Sequence, residues 1–260
     1  MTAKLAGRAG ALTLATATTV ALAGCGGVGA KLTYDDTEKA KISAIVIDGG
    51  SGDVQVKTAA ITETHIKRIY RVSADPDESY RLVGSELHIA NKCGHNCRVS
   101  YQIEAPAGVA VRGELTSGDV TLIDVGATDL SLTSGDVMVR GATGPVKIKA
   151  TSGDITVDDA AAGVTVDATS GDVHAVDVNG PVVAKVTSGD ATVRLNAPAS
   201  VTAQTSSGDL IVSIPQGSYQ LRTHKGSGDL HVDGVITNDP KAKNIIDVRV
   251  GSGDLTVATA

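Results

Sequence analysis

The triplet Ser-Gly-Asp occurs nine times in 260 residues, with its serine at 51, 117, 134, 152, 170, 188, 207, 227 and 252. Successive gaps are 66, 17, 18, 18, 18, 19, 20 and 25 residues, so a period near 18 governs the chain from residue 117 onward. A fixed period of this length marks stacked repeats, each a unit unable to bury its apolar face alone. After each Asp comes an apolar, outward, apolar triplet, as in Val120-Thr121-Leu122, Val137-Met138-Val139, Ile155-Thr156-Val157 and Val173-His174-Ala175. Before each Ser runs a second alternation, for example Val146, Ile148, Ala150 and Val164, Val166, Ala168. Period-two alternation rich in β-branched residues means a strand with one buried face. No helical periodicity of useful length follows residue 30. Two short strands and two corners per repeat describe one rung of a β-solenoid, with rungs about 4.8 Å apart around a narrow core.

The corner residues have a structural use. Glycine takes positive φ without penalty, and Ser and Asp side chains capture backbone N–H groups in turns. Asp53, Asp119, Asp136, Asp154, Asp172, Asp190, Asp209, Asp229 and Asp254 are therefore read first as corner residues. The alternative is a cation column holding calcium. Unit charges about 4.8 Å apart in water repel by roughly 1 kcal/mol, whereas one hydrogen bond to a carboxylate returns about 1.5–3 kcal/mol. Turn hydrogen bonds thus suffice, and the calcium-binding Gly-Gly-x-Gly-x-Asp pattern is not met, since Gly49-Gly50-Ser51-Gly52-Asp53 puts Asp one place early. Calcium stays open as the second reading; no other cofactor is expected.

The chain has five Tyr and neither Phe nor Trp. Such a core must be thin, which suits a solenoid. A formal charge of −6 without a basic run argues against nucleic acid or anionic lipid as a partner. An enzyme is not expected either. His-Glu-x-x-His and Gly-x-Ser-x-Gly are absent, and the Gly-x-Gly-x-x-Gly match at Gly24, Gly26 and Gly29 follows no strand. His174 and His231 occupy one outward slot but lie three rungs apart in sequence, about 14 Å. Outward Lys147, Lys149, Lys185 and Arg194 are candidates for contacts, with a solvated face as the blander account of each.

At the N-terminus, Lys4 and Arg8 precede an apolar stretch, Ala9 to Ala21, too short and Thr-rich to span a bilayer. Leu22-Ala23-Gly24-Cys25 resembles the lipobox of bacterial lipoprotein signal peptides. That resemblance implies cleavage before Cys25 and diacylation of its thiol, hence membrane lipid as a partner and a location at the cell membrane facing outside the cytoplasm. Loss of Lys4 and Arg8 then shifts the formal charge from −6 to −8. Cys93 and Cys97 remain as an even pair, expected to form a disulfide in an oxidising compartment. The alternating runs Glu86-Leu87-His88-Ile89-Ala90 and Arg98-Val99-Ser100-Tyr101-Gln102-Ile103 on either side read as a stapled hairpin. The other reading is a metal site on Cys93, His95 and Cys97, with His88 folding near.

The order lipobox, Gly-Asp-Val strand, variable β insert, Pro106-Ala107-Gly108, then Leu115-Thr116-Ser117-Gly118-Asp119-Val120 and its iterations resembles the bacterial putative-adhesin family of β-strand repeat proteins, a domain of unknown function. The resemblance covers roughly residues 41–260. It implies a right-handed β-solenoid and an envelope location, and it brings no catalytic residues. The expected organisation is a signal peptide over 1–24, a tether over 25–40, an N-terminal β cap or insertion with the disulfide hairpin over 41–115, and solenoid repeats over 116–260. A separate small β domain is the alternative for 41–115. Two functions fit: an adhesin-like, non-catalytic module binding a cell-envelope component, or a structural or regulatory scaffold acting through a membrane-protein partner.

Overall fold

The computed structural model describes residues 30–72, 79–92, 97–234 and 236–260. Among them every regular element is a β-strand, and the strands form two long sheets around one apolar core. A typical rung runs along Val146–Ser152 in one sheet, turns at Gly153 and Asp154, and returns along Ile155–Asp158 in the other. Val146, Ile148 and Ala150 point inward with Ile155 and Val157, while Lys147 and Lys149 point to water. Successive rungs pair in parallel and in register: Val120 with Val137, Val137 with Ile155, Ile155 with Val173. Every inward position therefore stacks on an apolar neighbour, and the core needs only Val, Ile, Leu and Ala along most of its length. The fully buried rings Tyr70, Tyr101 and Tyr219 stand towards the two ends, where rungs are irregular.

Rung order in space departs from rung order in sequence at both ends. Ala44–Gly50 and Val54–Ala59 form a rung that pairs on one side with Ala110–Ser117 and Val120–Ile123, and on the other with Glu86–Asn91 and Arg98–Pro106. The 66-residue gap thus contains one whole rung, placed beyond the first. At the other end, Ile245–Ser252 and Leu255–Thr259 lie between the rung at 201–214 and the strands Ser218–Ser227 and Leu230–Val232. The long gaps of 20 and 25 residues are the excursion of the chain past this slot and back into it.

The N-terminal expectations need correction on two points. Part of the expected tether is a strand: Ala30–Glu38 pairs antiparallel with Thr64–Val72, and this pair closes one edge of a sheet. Glu86–Asn91 and Arg98–Pro106 are not a hairpin. They enter opposite sheets as two sides of one rung, because the parallel ladders of the neighbouring rung claim each of them separately. The antiparallel hairpin is instead Tyr80–Val83 with Glu86–Asn91. Both sheets run through residue 115, so the strands of 41–115 are laid on the same stack as the repeats. The edge is sealed by Arg68, whose guanidinium lies 4.9 to 5.7 Å from the rings of Tyr34, Tyr70 and Tyr80 and 2.8 Å from Asp36. Burial opposes its charge, but Tyr70 and Asp36 outweigh that and raise its pKa above the ordinary arginine value.

The corner glycine is the tightest feature of the rung. At Gly171, φ is +117°, and a Cβ would lie 2.2 Å from the carbonyl oxygen of Gly153 in the rung below. Residues 26–260 contain every described strand and core residue, so that fragment suffices for stability measurements. Gly171→Ala is expected to lower its unfolding free energy by about 3 kcal/mol, at the upper end for a forced backbone conformation. Gly84→Ala, at φ +62° with open space around it, is expected to cost only about 1 kcal/mol. Denaturant melts of the two variants check the difference.

Candidate functional site: the corner column and a basic row

The nine Asp residues of the repeat form one column. Each Oδ1 but that of the last accepts the backbone N–H of the Asp in the next rung, in the order 53, 119, 136, 154, 172, 190, 209, 254, 229, at 2.8 to 3.3 Å. The rung at 86–106 has no Ser-Gly-Asp, and there Ser100 Oγ accepts the N–H of Asp53 at 3.1 Å. The carboxylates thus bind across rungs rather than within their own turn. The ladder offsets the mutual repulsion of neighbouring charges, since a hydrogen bond to a charged group contributes about 1.5–3 kcal/mol against roughly 1 kcal/mol of repulsion. Among the described residues no group of three or more His, Cys, Asp or Glu side chains is placed to hold a metal ion. Cys25, Cys93 and His95 lie outside the described residues; Cys97 packs against the core, and His88 turns towards Asp48 at 3.2 Å and Glu86 at 3.5 Å.

The outward candidates divide by their neighbours. Lys147 meets Asp129 at 3.1 Å, and Arg194 meets Asp177 at 2.9 Å. Lys149 and Lys185 flank Asp167 in register. The column through His174 continues to Thr192, Ile211, Thr256 and only then His231. The two histidines are therefore four strand spacings apart, about 19 Å, not three. The displaced rung at 245–259 accounts for the extra step.

A different arrangement stands at the N-terminal end. Lys31 pairs directly with Arg71, Arg71 with Arg98, and Arg98 with Lys92. Directly opposed residues share a face of the sheet, and all four are exposed. Like charges directly opposite each other are unfavourable. Elsewhere the register sets opposites together, as in Lys57 with Glu104, Lys67 with Asp35 and Arg140 with Asp158. Among the described residues none of the four cations makes an ion pair. They line two adjoining hollows that share Arg71 and Arg98. One, of about 600 Å³, has Lys92 on its wall and buried Asn91 beneath. The other, of about 350 Å³, has Lys31 on one wall, and Asp53 and Asp119 also line it. Those two carboxylates each accept the backbone N–H of the next rung. Sequence reading missed the row because its members are scattered over 67 residues and only strand register assembles them.

The family described as Toastrack DUF4097 matches residues 28–176 and again 109–258. Among solved structures, a putative adhesin from Bacteroides fragilis is similar at 14% identity, covering 88% of this chain and 97% of its own, with a TM-score of 0.52. A putative adhesin from Parabacteroides distasonis is similar at 11% identity, covering 89% and 98%, with a TM-score of 0.53. At such identities the likeness shows the fold. No curated protein matches the chain.

The corner reading of the Asp column makes a direct prediction. Asp172→Ala removes an acceptor but also relieves repulsion from two neighbours, so it is expected to cost about 1 kcal/mol net. Asp172→Asn, which keeps a neutral acceptor, is expected to change stability by less than about 0.5 kcal/mol. Calcium or chelator is expected to leave the melting temperature of the 26–260 fragment unchanged. A calcium-dependent rise lost in Asp172→Asn would make the column a cation site.

Proposed function

The chain belongs to the Toastrack DUF4097 family, and on that footing we propose that it is an adhesin-like, non-catalytic binding module held at the cell envelope by a lipid on Cys25. The observation that carries this reading is the continuous register of the two sheets. It repeats outward side chains at one strand spacing over twelve strands in each sheet, about 50 Å. A rigid periodic surface suits many weak contacts, each made at high effective concentration once the first has formed. The similar solved structures bear the name adhesin, in keeping with this use of the fold. The outward charges of the regular rungs are largely matched by opposite neighbours rather than gathered around one reacting centre. In this reading the coil is right-handed, and a Cys93–Cys97 disulfide braces the corner where the other rungs carry Ser-Gly-Asp. No cofactor is required.

Co-sedimentation of the 26–260 fragment with purified envelope fractions tests the binding function. Saturable pelleting is expected, with and without chelator. Absence of saturable pelleting, or turnover of an envelope polysaccharide by the fragment, would contradict it. The anchor is tested separately: the full chain in cells is expected to incorporate labelled fatty acid, and Cys25→Ala to lose both the label and the membrane fraction.

A further inference from the structure

We propose that the row Lys31, Arg71, Arg98 and Lys92 is a docking face for an anionic membrane surface, which fixes how the solenoid lies on the bilayer. The proposal rests on the lipid-anchor reading of Cys25 for its orientation, and on register for its geometry. Three consecutive direct pairings put the four cations in one line, about 14 Å long at the usual strand spacing. Among the described residues none of the four makes an ion pair, and the carboxylates in their hollow, Asp53 and Asp119, are fewer than the cations of the row. A line of like charge in a β-sheet is unfavourable by itself, so an external anion is a natural complement.

Its position selects the anion. Lys31 is the second residue of the edge strand Ala30–Glu38, and it is six residues from Cys25. Six residues span at most about 20 Å even when fully extended. A lipid on Cys25 therefore confines this end of the fold to the immediate neighbourhood of the headgroups. Anionic headgroups attract Lys and Arg within about a Debye length of the surface. Two acyl chains already suffice for anchoring. The row's task is orientation: it runs in the direction in which the strands stack, so docking it lays the long axis of the sheets along the bilayer and holds the outward face of this sheet's end against the headgroups.

The test uses the unlipidated 26–260 fragment, so its outcome is independent of whether Cys25 is acylated. It is sedimented with vesicles of phosphatidylcholine alone, and with vesicles in which roughly one third of the lipid is the anionic phosphatidylglycerol, enough to give a negative surface potential. Binding to the anionic vesicles only is expected, and its loss at about 1 M salt, where the screening length falls to about 3 Å. Each cation near such a surface strengthens partitioning on the order of fivefold, so Arg71→Gln with Arg98→Gln is expected to weaken it about 25-fold. Lys147→Gln with Lys149→Gln is expected to leave binding unchanged, and unchanged circular dichroism shows that both variants are folded. Equal binding to both vesicle types, no binding to the anionic ones, or equal effects of the two double variants would overturn the proposal. So would retention by a soluble polyuronate in place of the vesicles, which would assign the row to an acidic glycan.

Discussion

The close approach of one corner glycine to the carbonyl of the next is the constraint on which the other features depend. From Gly118 to Gly253, a Cβ would stand 2.1 to 2.6 Å from the oxygen of the adjoining corner, and each of these glycines has positive φ. Only with that contact does the chain turn from one sheet to the other within two residues and still meet the rung below in register. The Asp beside each glycine then finds the next backbone N–H within reach, and its charge becomes useful rather than merely tolerated. Ser, Gly and Asp thus have distinct duties at one corner. The serine is the last paired residue of its strand, glycine permits the turn, and Asp ties the turn to its neighbour.

A stack of identical rungs has two open ends, which invite further stacking between molecules. Here both ends are altered by the same topological device. The first rung in sequence, at 44–59, and the last, at 245–259, are each second from the end in space, overlaid by a rung of less regular sequence. The N-terminal end gains a further antiparallel pair sealed by Arg68, Asp36 and three tyrosines. At the C-terminal end, Tyr219 fills the core and Lys225 donates to the carbonyl of the corner glycine Gly228. The regular repeats therefore begin and finish inside the stack and leave variable sequence outermost.

What was legible in the sequence follows from locality. The alternation around Val146-Lys147-Ile148-Lys149-Ala150 and the glycine at each corner are local signals, and they specified strands, faces and the stacked architecture. The displaced end rungs were not legible. Val120 and Val54 carry the same pattern, and nothing in either says which strand lies beside it. The basic row was hidden for the same reason, since Lys31, Arg71, Arg98 and Lys92 become neighbours only through two antiparallel ladders and one isolated bridge. At the second corner, Asp124, Asp159 and Asp177 adopt φ of 54° to 57° in place of glycine. Asp tolerates that conformation through local hydrogen bonding, but the residue alone does not announce it.

Register sets like charges directly opposite one another at one end of the solenoid, with no ion pair to any of them among the described residues. A double-mutant cycle on stability tests this most directly. Arg71→Glu places a carboxylate between Lys31 and Arg98, and opposite charges directly across a pair contribute roughly 0.2–1 kcal/mol each. The account predicts that Arg71→Glu raises the unfolding free energy of the 26–260 fragment by about 1 kcal/mol, and that the gain shrinks when Arg98→Glu is also present. A loss of stability in Arg71→Glu, or strict additivity with Arg98→Glu, would mean that these cations do not face one another unpaired, and would contradict it.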